Sequence, residues 1–247
     1  MKKSFLMLGL AVAAMTSCTN DEVVEVNQSN LIKFESFVNK GTRAVDEVNS
    51  LTSFYVFGGY DGNNVFDNVS ATNGDTQKNW VLNKTYDFAA YADGEVDGQV
   101  GCIASSGSDV ATVSFADDTL TIKGYTVSDE RDLIAAVTPN VASGNNGQSV
   151  NLIFRHLLSQ VSFQFVNTSD YYMEVTDITF AANKKGDCEV GSTVDSQSTT
   201  WENWSNLQTY TYEGTENYLA PKDGSTYTEY KPDFQMVIPQ KLSEVKA

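Results

Sequence analysis

Hydrophobic and polar residues alternate along much of this chain, with the period of two that a β-strand with one buried face requires. The alternation is clearest across Ser149–Asn167. Val150, Leu152 and Phe154 fall on one face there, and Asn151, Ile153 and Arg155 on the other. After Arg155-His156-Leu157-Leu158 the pattern resumes, with Val161, Phe163 and Phe165 set against Gln160, Ser162 and Gln164. A run of small polar residues, Ala142–Gly147, comes just before, so Ser149 is expected to open a second β-domain.

The same reading places strands on both sides. Leu31–Val38 puts Ile32, Phe34 and the polar Ser36 on one face. Leu51–Tyr60 is dense in aromatic and β-branched residues and closes with Gly58-Gly59, and Asp61-Gly62-Asn63-Asn64 reads as a turn. Asn79–Leu82 and Thr85–Ala92 read as two strands joined by a tight hairpin at Asn83-Lys84. Asp93–Ser108 is loop-rich, Val110–Phe115 and Thr119–Val127 pair around Asp117-Asp118, and Asp132–Val137 ends the first half. Beyond the central stretch come Glu174–Ala182, Asp187–Val190, a polar run at Gly191–Thr200, aromatic-rich Trp201–Tyr212, a loop at Gly214–Thr228, and a last strand, Phe234–Ile238, stopped by Pro239. No segment carries a helical stripe of useful length. Short strands with Gly, Asn and Asp turns between them predict an all-β sandwich architecture, with one domain over 31–148 and another over 149–247. Only about four or five strand patterns follow Ser149 and seven residues follow Gln240, so the second sandwich is expected to be short of an edge strand, either because the sequence is truncated or because a partner supplies that strand.

The N-terminus changes the compartment. Lys2-Lys3 followed by apolar Phe5–Ala14 reads as a secretion leader over 1–17, too short to span a bilayer, which takes roughly 20 apolar residues. Cys18, directly after Thr16 and Ser17, looks like a lipoprotein cleavage site, acylated as the mature N-terminus. Residues 18–30 form an acidic tether. The formal net charge of −16 makes nucleic acid an improbable partner, because such a surface repels phosphate backbones.

Candidate chemistry is sparse. A Ser-His-Asp site would have to use His156, the single histidine, and there is no G-x-S-x-G elbow. His156 is therefore read as filling a strand corner. Nothing singles out a carboxylate pair among the 32 acidic residues, and Asp61–Asp67 is read as a turn, not a calcium loop. Cys102 and Cys188 either bridge or stay as single thiols, and neither sits in a metal-ligand cluster, so no metal and no cofactor is expected. Trp201 and Trp204, with Tyr210 and Tyr212, would stack on sugar rings if exposed; packing in the core is the favoured reading.

Taken together, the chain resembles the fimbrillin (Mfa-like) family of Bacteroidota pilus subunits and surface lipoproteins. The resemblance rests on the leader ending at Cys18, on Ile32-Lys33-Phe34 followed by Thr42-Arg43, on Leu51–Phe57, on Asp132-Leu133-Ile134-Ala135, and above all on Val150–Phe165. It implies two tandem transthyretin-like β-sandwiches, a lipid anchor to the outer face of the outer membrane, and no enzymatic activity. It also implies proteolysis between Arg43 and Ala44, removing Leu31–Val38 so that a strand of another pilus subunit adds to the exposed sheet by β-augmentation. Asp118-Thr119-Leu120 resembles an O-glycosylation site of exported Bacteroidota proteins, with Thr119 as acceptor. The function expected is a surface fimbrial subunit, anchor or adhesin, its partners being other subunits and a host or bacterial surface ligand. The competing expectation is a glycan-binding surface lipoprotein of a nutrient-uptake system, with Trp201 and Trp204 as its platform.

Overall fold

The computed structural model describes residues 30–38, 51, 53–95, 111–128, 131–143, 148–176, 178–193, 196–212, 218–223, 228–230 and 234–246. Every element in them is a β-strand, as the alternation predicts. The first nine are β1 (Leu31–Val38), β2 (Phe54–Tyr60), β3 (Asn63–Ala71), β4 (Gly74–Asn79), β5 (Thr85–Glu95), β6 (Thr112–Ala116), β7 (Thr119–Thr126), β8 (Arg131–Ala142) and β9 (Val150–His156). Short strands follow at β10 (Ser159–Val161), β11 (Phe165–Asn167) and β12 (Met173–Glu174), and then the long β13 (Ile178–Thr193). The chain continues with β14 (Ser196–Tyr212), β15 (Tyr218–Leu219), β16 (Thr228–Tyr230), β17 (Gln235–Val237) and β18 (Ser243–Lys246).

The largest sheet runs β3-β2-β5-β8-β9-β1-β4. Its two outer strands, β3 and β4, are consecutive in the chain and joined by Thr72-Asn73 alone. A link that short reaches no more than about 11 Å, so the sheet is rolled until its edges nearly meet. Inside the roll Phe34 touches residues from strands that are not its neighbours: Phe54, Phe66 and Phe88, at ring-centroid distances of 5.9, 5.3 and 5.6 Å. Gly58 is what lets Phe88 in, because a Cβ there would fall 2.3 Å from that ring.

β5 and β8 are covered on both faces. Phe88, Ala90, Ile134 and Ala136 point into the roll, while Ala89, Tyr91, Leu133, Ala135 and Val137 point into a second core. That double burial is why Leu133–Val137 reads as an unbroken apolar run. The second core is closed by a sheet ordered β14-β13-β7-β6, making a sandwich. A third core holds Ile178, Phe180, Tyr210, Tyr212 and Val237, with Val161, Phe163 and Phe165 packed against it. The β13–β14 hairpin spans the last two cores: its open end serves the third, and its far end pairs with β7 and covers the second.

Several expectations are refined. Val150–His156, expected to begin the second domain, is bonded into the sheet of the first half through β8 and β1. The polar run Gly191–Thr200 belongs to paired strands, with Gly191 opposite Ser198 and Thr193 opposite Ser196. No hairpin forms at Asn83-Lys84: β4 pairs with β1, and β5 pairs with β2 and β8. Trp80 carries the pairing of β4 with β1 one step further, its backbone N–H donating to Asn30 O at 2.9 Å, while its buried ring stands edge-on to Tyr86 at 4.8 Å. The turns at Asp61-Gly62 and Asp117-Asp118 do form, each with positive φ at both residues, as two-residue hairpins with right-handed twist require.

Candidate functional site: the first strand and its seat

Leu31–Val38 alternates because Ile32, Phe34 and Ser36 must enter a core while Lys33, Glu35 and Phe37 do not. Ile32 and Phe34 are fully buried and Ser36 is 3% exposed. The strand is internal to its sheet. On one side it pairs in parallel with β9, Phe34 opposite Val150 through Val38 opposite Phe154, and on the other it pairs antiparallel with β4. Removing it would open the roll along two strand edges and uncover its aromatic lining.

A polar clasp closes the C-terminal end of the strand. Ser36 N–H donates to Asn73 Oδ1 at 2.7 Å, Leu51 N–H donates to Ser36 Oγ at 3.1 Å, and Asn73 Nδ2 donates to Leu51 O at 3.2 Å. Asn73 comes from the two-residue link between β3 and β4, so one side chain ties together the rolled edge, the first strand and the start of the next segment. Sequence reading passes over Asn73 because an Asn before a Gly looks like any other turn residue. On the outer face, Phe37 and Ile153 sit opposite each other at 46% and 51% exposure, a pair of apolar side chains in water at the seam between β1 and β9.

The other predicted residues are dispersed. Cys18, Arg43, Ala44 and Cys102 lie outside the described residues. Thr119 follows the Asp117-Asp118 turn, and its hydroxyl donates to Asp117 O at 3.3 Å. Trp201 is 8% exposed and donates its indole N–H to Leu157 O at 3.0 Å. Trp204 is 50% exposed and lies against Gly186. A paired platform therefore does not form, because Trp201 is committed to the core. Cys188 is a free thiol inside the second core, and burial pushes its pKa up to about 12.

His156 ends β9, and its Nδ1 is paired with the carboxylate of Asp132 on β8. Beside them Asp93 of β5, 3% exposed, accepts hydrogen bonds from Tyr125 O–H at 3.0 Å and from the Arg131 guanidinium at 3.4 Å. Burial raises Asp93 above the usual carboxylate range in spite of both donors, and burial together with Asp93 raises Tyr125 further above the usual phenol range. The cluster joins β5, β7, β8 and β9 at a corner. Among the described residues no group of three or more His, Cys, Asp or Glu is placed to hold a metal ion.

No curated protein matches the chain. Two crystal structures from Bacteroides ovatus are similar to it. One, provisionally described as a cell adhesion protein, has 11% identity over 86% of this chain and 99% of its own, with a TM-score of 0.37. The other, provisionally described as an adhesin, has 10% identity over 89% of this chain and 87% of its own, with a TM-score of 0.35. The fimbrillin-like family profile matches residues 27–247, most of the chain, and the chain belongs to that family.

Proposed function

We propose that this protein is a non-enzymatic surface subunit of a fimbrium, carried to the outer membrane as a lipoprotein on Cys18 and assembled by strand exchange at the seat of β1. The observation that supports it is the construction of that seat. An N-terminal strand, internal to its sheet and with buried Ile32, Phe34 and Ser36, is followed by a linking segment that contains Arg43. Cleavage between Arg43 and Ala44 would release β1 from its covalent tie. The vacated seat then offers the free edges of β9 and β4 and an apolar floor, the chemistry that an added strand from another subunit satisfies. Without cleavage the same chain stays closed and lipid-held, as an anchor. Thr119, half-buried at the start of β7 directly after the Asp117-Asp118 turn, is the proposed acceptor of an O-linked glycan.

The test is the intact mass and N-terminal sequence of the protein recovered from its native cell surface. A start at Ala44 is the polymerising form, and a lipidated start at Cys18 is the anchor. A start at neither position overturns the processing scheme. An Arg43→Ala chain is expected to keep its N-terminus and remain monomeric, and normal polymerisation of that variant would rule out strand release.

A further inference from the structure

At the edge of the third core the chain doubles back through residues 167–172, and this loop is built around one side chain. Asn167 is fully buried. Its Nδ2 donates to the carbonyls of Tyr171, Leu219 and Ala220 at 2.8, 2.9 and 2.9 Å. Its Oδ1 accepts from the N–H and the hydroxyl of Ser169 at 2.9 and 2.8 Å. Lys222 N–H then donates to Ser169 O at 3.0 Å, fixing the loop to the segment after β15. A buried amide with every polar atom satisfied makes a rigid turn, because each bond would have to break for the loop to move.

What this rigid turn presents is aromatic. Tyr171, Tyr172 and Tyr218 are 79%, 76% and 62% exposed. In the β12–β15 pair Met173 stands opposite Leu219 and Glu174 opposite Tyr218. Leu219 and Met173 face the third core, so alternation sends Glu174 and Tyr218 to the outer side. Tyr172, one step before Met173, shares that outer side. The face thus reads ring, carboxylate, ring, held on a frame that has already been ordered. Scattered exposed aromatics need no explanation, but Tyr172 and Tyr218 on one side of a rigid tip, with exposed Tyr171 beside them in the chain, form a patch of the kind that marks an interaction site.

We propose that this tip is a carbohydrate-binding surface, on which the rings of Tyr172 and Tyr218 stack against the apolar face of a neutral pyranose while Glu174 accepts its hydroxyl hydrogens. Tyrosine is well suited to such stacking, since it gives a large flat contact for little loss of side-chain freedom, with a hydroxyl left over for polar contacts. Anionic ligands are disfavoured, because Lys222, on the segment after β15, is already within 3.5 Å of Asp170 and the whole chain carries −16. A basic peptide gains nothing particular here either, since negative charge is spread through the sequence; rings, not charge, set the tip apart. A flat, open patch binds one sugar weakly, so its use lies in repeated contact with a polymer or a dense surface. The tip is separate from β1 and its seat, and the proposal stands or falls independently of strand exchange.

The test uses the full chain without its leader on immobilised mannan, galactan, xylan and β-glucan, with dextran sulfate and poly-lysine alongside. Retention on at least one neutral polysaccharide is expected. It should fall about tenfold or more in the Tyr172→Ser/Tyr218→Ser double variant. Glu174→Gln is expected to lose several-fold, and unchanged thermal unfolding of both variants is the control for folding. Retention on none of the four, undiminished retention of the double variant, or retention on dextran sulfate or poly-lysine alone overturns the proposal.

Discussion

Phe34 of β1 and Phe88 of β5 meet edge to face, ring centroids 5.6 Å apart, although β8 and β9 lie between their strands in the sheet. The contact exists only because the sheet is rolled, and it makes the first strand part of the lining of the roll. Truncating a fully buried phenylalanine of this kind costs about 3–5 kcal/mol. Phe34→Ala in the uncleaved chain is therefore expected to lower stability by about that much in urea unfolding. Phe37→Ala, on the outer face of the same strand, is expected to shift it by about 0.5 kcal/mol or less. Equal effects at the two positions would mean that β1 is not seated as described.

The clasp at the end of β1 makes a second, separable contribution. Asn73→Ala removes the acceptor of Ser36 N–H and the donor to Leu51 O, leaving two backbone groups to be satisfied by other means. A loss of about 1–3 kcal/mol is expected. The sharper reading is hydrogen exchange. The Ser36 amide should exchange faster in Asn73→Ala, while amides in the middle of β8 keep their protection. If Ser36 exchanges at the wild-type rate, the clasp is not what holds that end of the strand.

How much of this could be read in the sequence depends on which residues carry apolar side chains. β1, β2, β7, β8 and β9 are legible because their cores are lined by Ile, Leu, Val and Phe in a regular rhythm. β3 is not, because it is the outer strand of the roll: Phe66 is its one buried side chain, and polar residues fill most of its other positions. β4 and the far end of β14 escape notice for the same reason, being polar strands whose partners supply the ordering. The parallel pairing of β1 with β9 links residues more than a hundred positions apart, and no local pattern encodes that. The supports of both candidate sites, Asn73 and Asn167, are equally invisible. An asparagine that holds a turn from inside and one that merely lies in a turn have the same letter and the same neighbours.

Trp201 supplies a third test, because it ties the far end of the β13–β14 hairpin to the corner after β9. Its indole N–H is the partner of the Leu157 carbonyl, whose own N–H donates to Leu133 O at 2.9 Å. Trp201→Phe keeps an aromatic ring in the second core but leaves that buried carbonyl unpaired, at an expected cost of about 1–3 kcal/mol. Fluorescence separates it from Trp204. In wild type the buried Trp80 and Trp201 should resist quenching by iodide and Trp204 should be quenched readily, and Trp201→Phe should remove part of the resistant signal. Loss of readily quenched signal instead would reverse the assignment of the buried ring.

Cys188 ties stability to alkaline pH in a direction fixed by its burial. Its folded pKa is raised to about 12 from an ordinary 9.0, so between those values the folded chain keeps a proton that the unfolded chain gives up. Stability therefore falls as pH rises through that window, since the unfolded state binds fewer protons there. The raised Tyr212, also at about 12, acts in the same direction above its ordinary 10.0, so the effect of the thiol must be isolated by substitution. Cys188→Ala is expected to weaken the decline between pH 9.0 and 10.0, at the cost of a small cavity in the second core. The same burial predicts that iodoacetamide at about pH 8 leaves the Cys188 peptide unmodified in the native chain and alkylates it in urea. Rapid alkylation of that peptide under native conditions would place Cys188 outside the core, and with it the packing of β13 on β7.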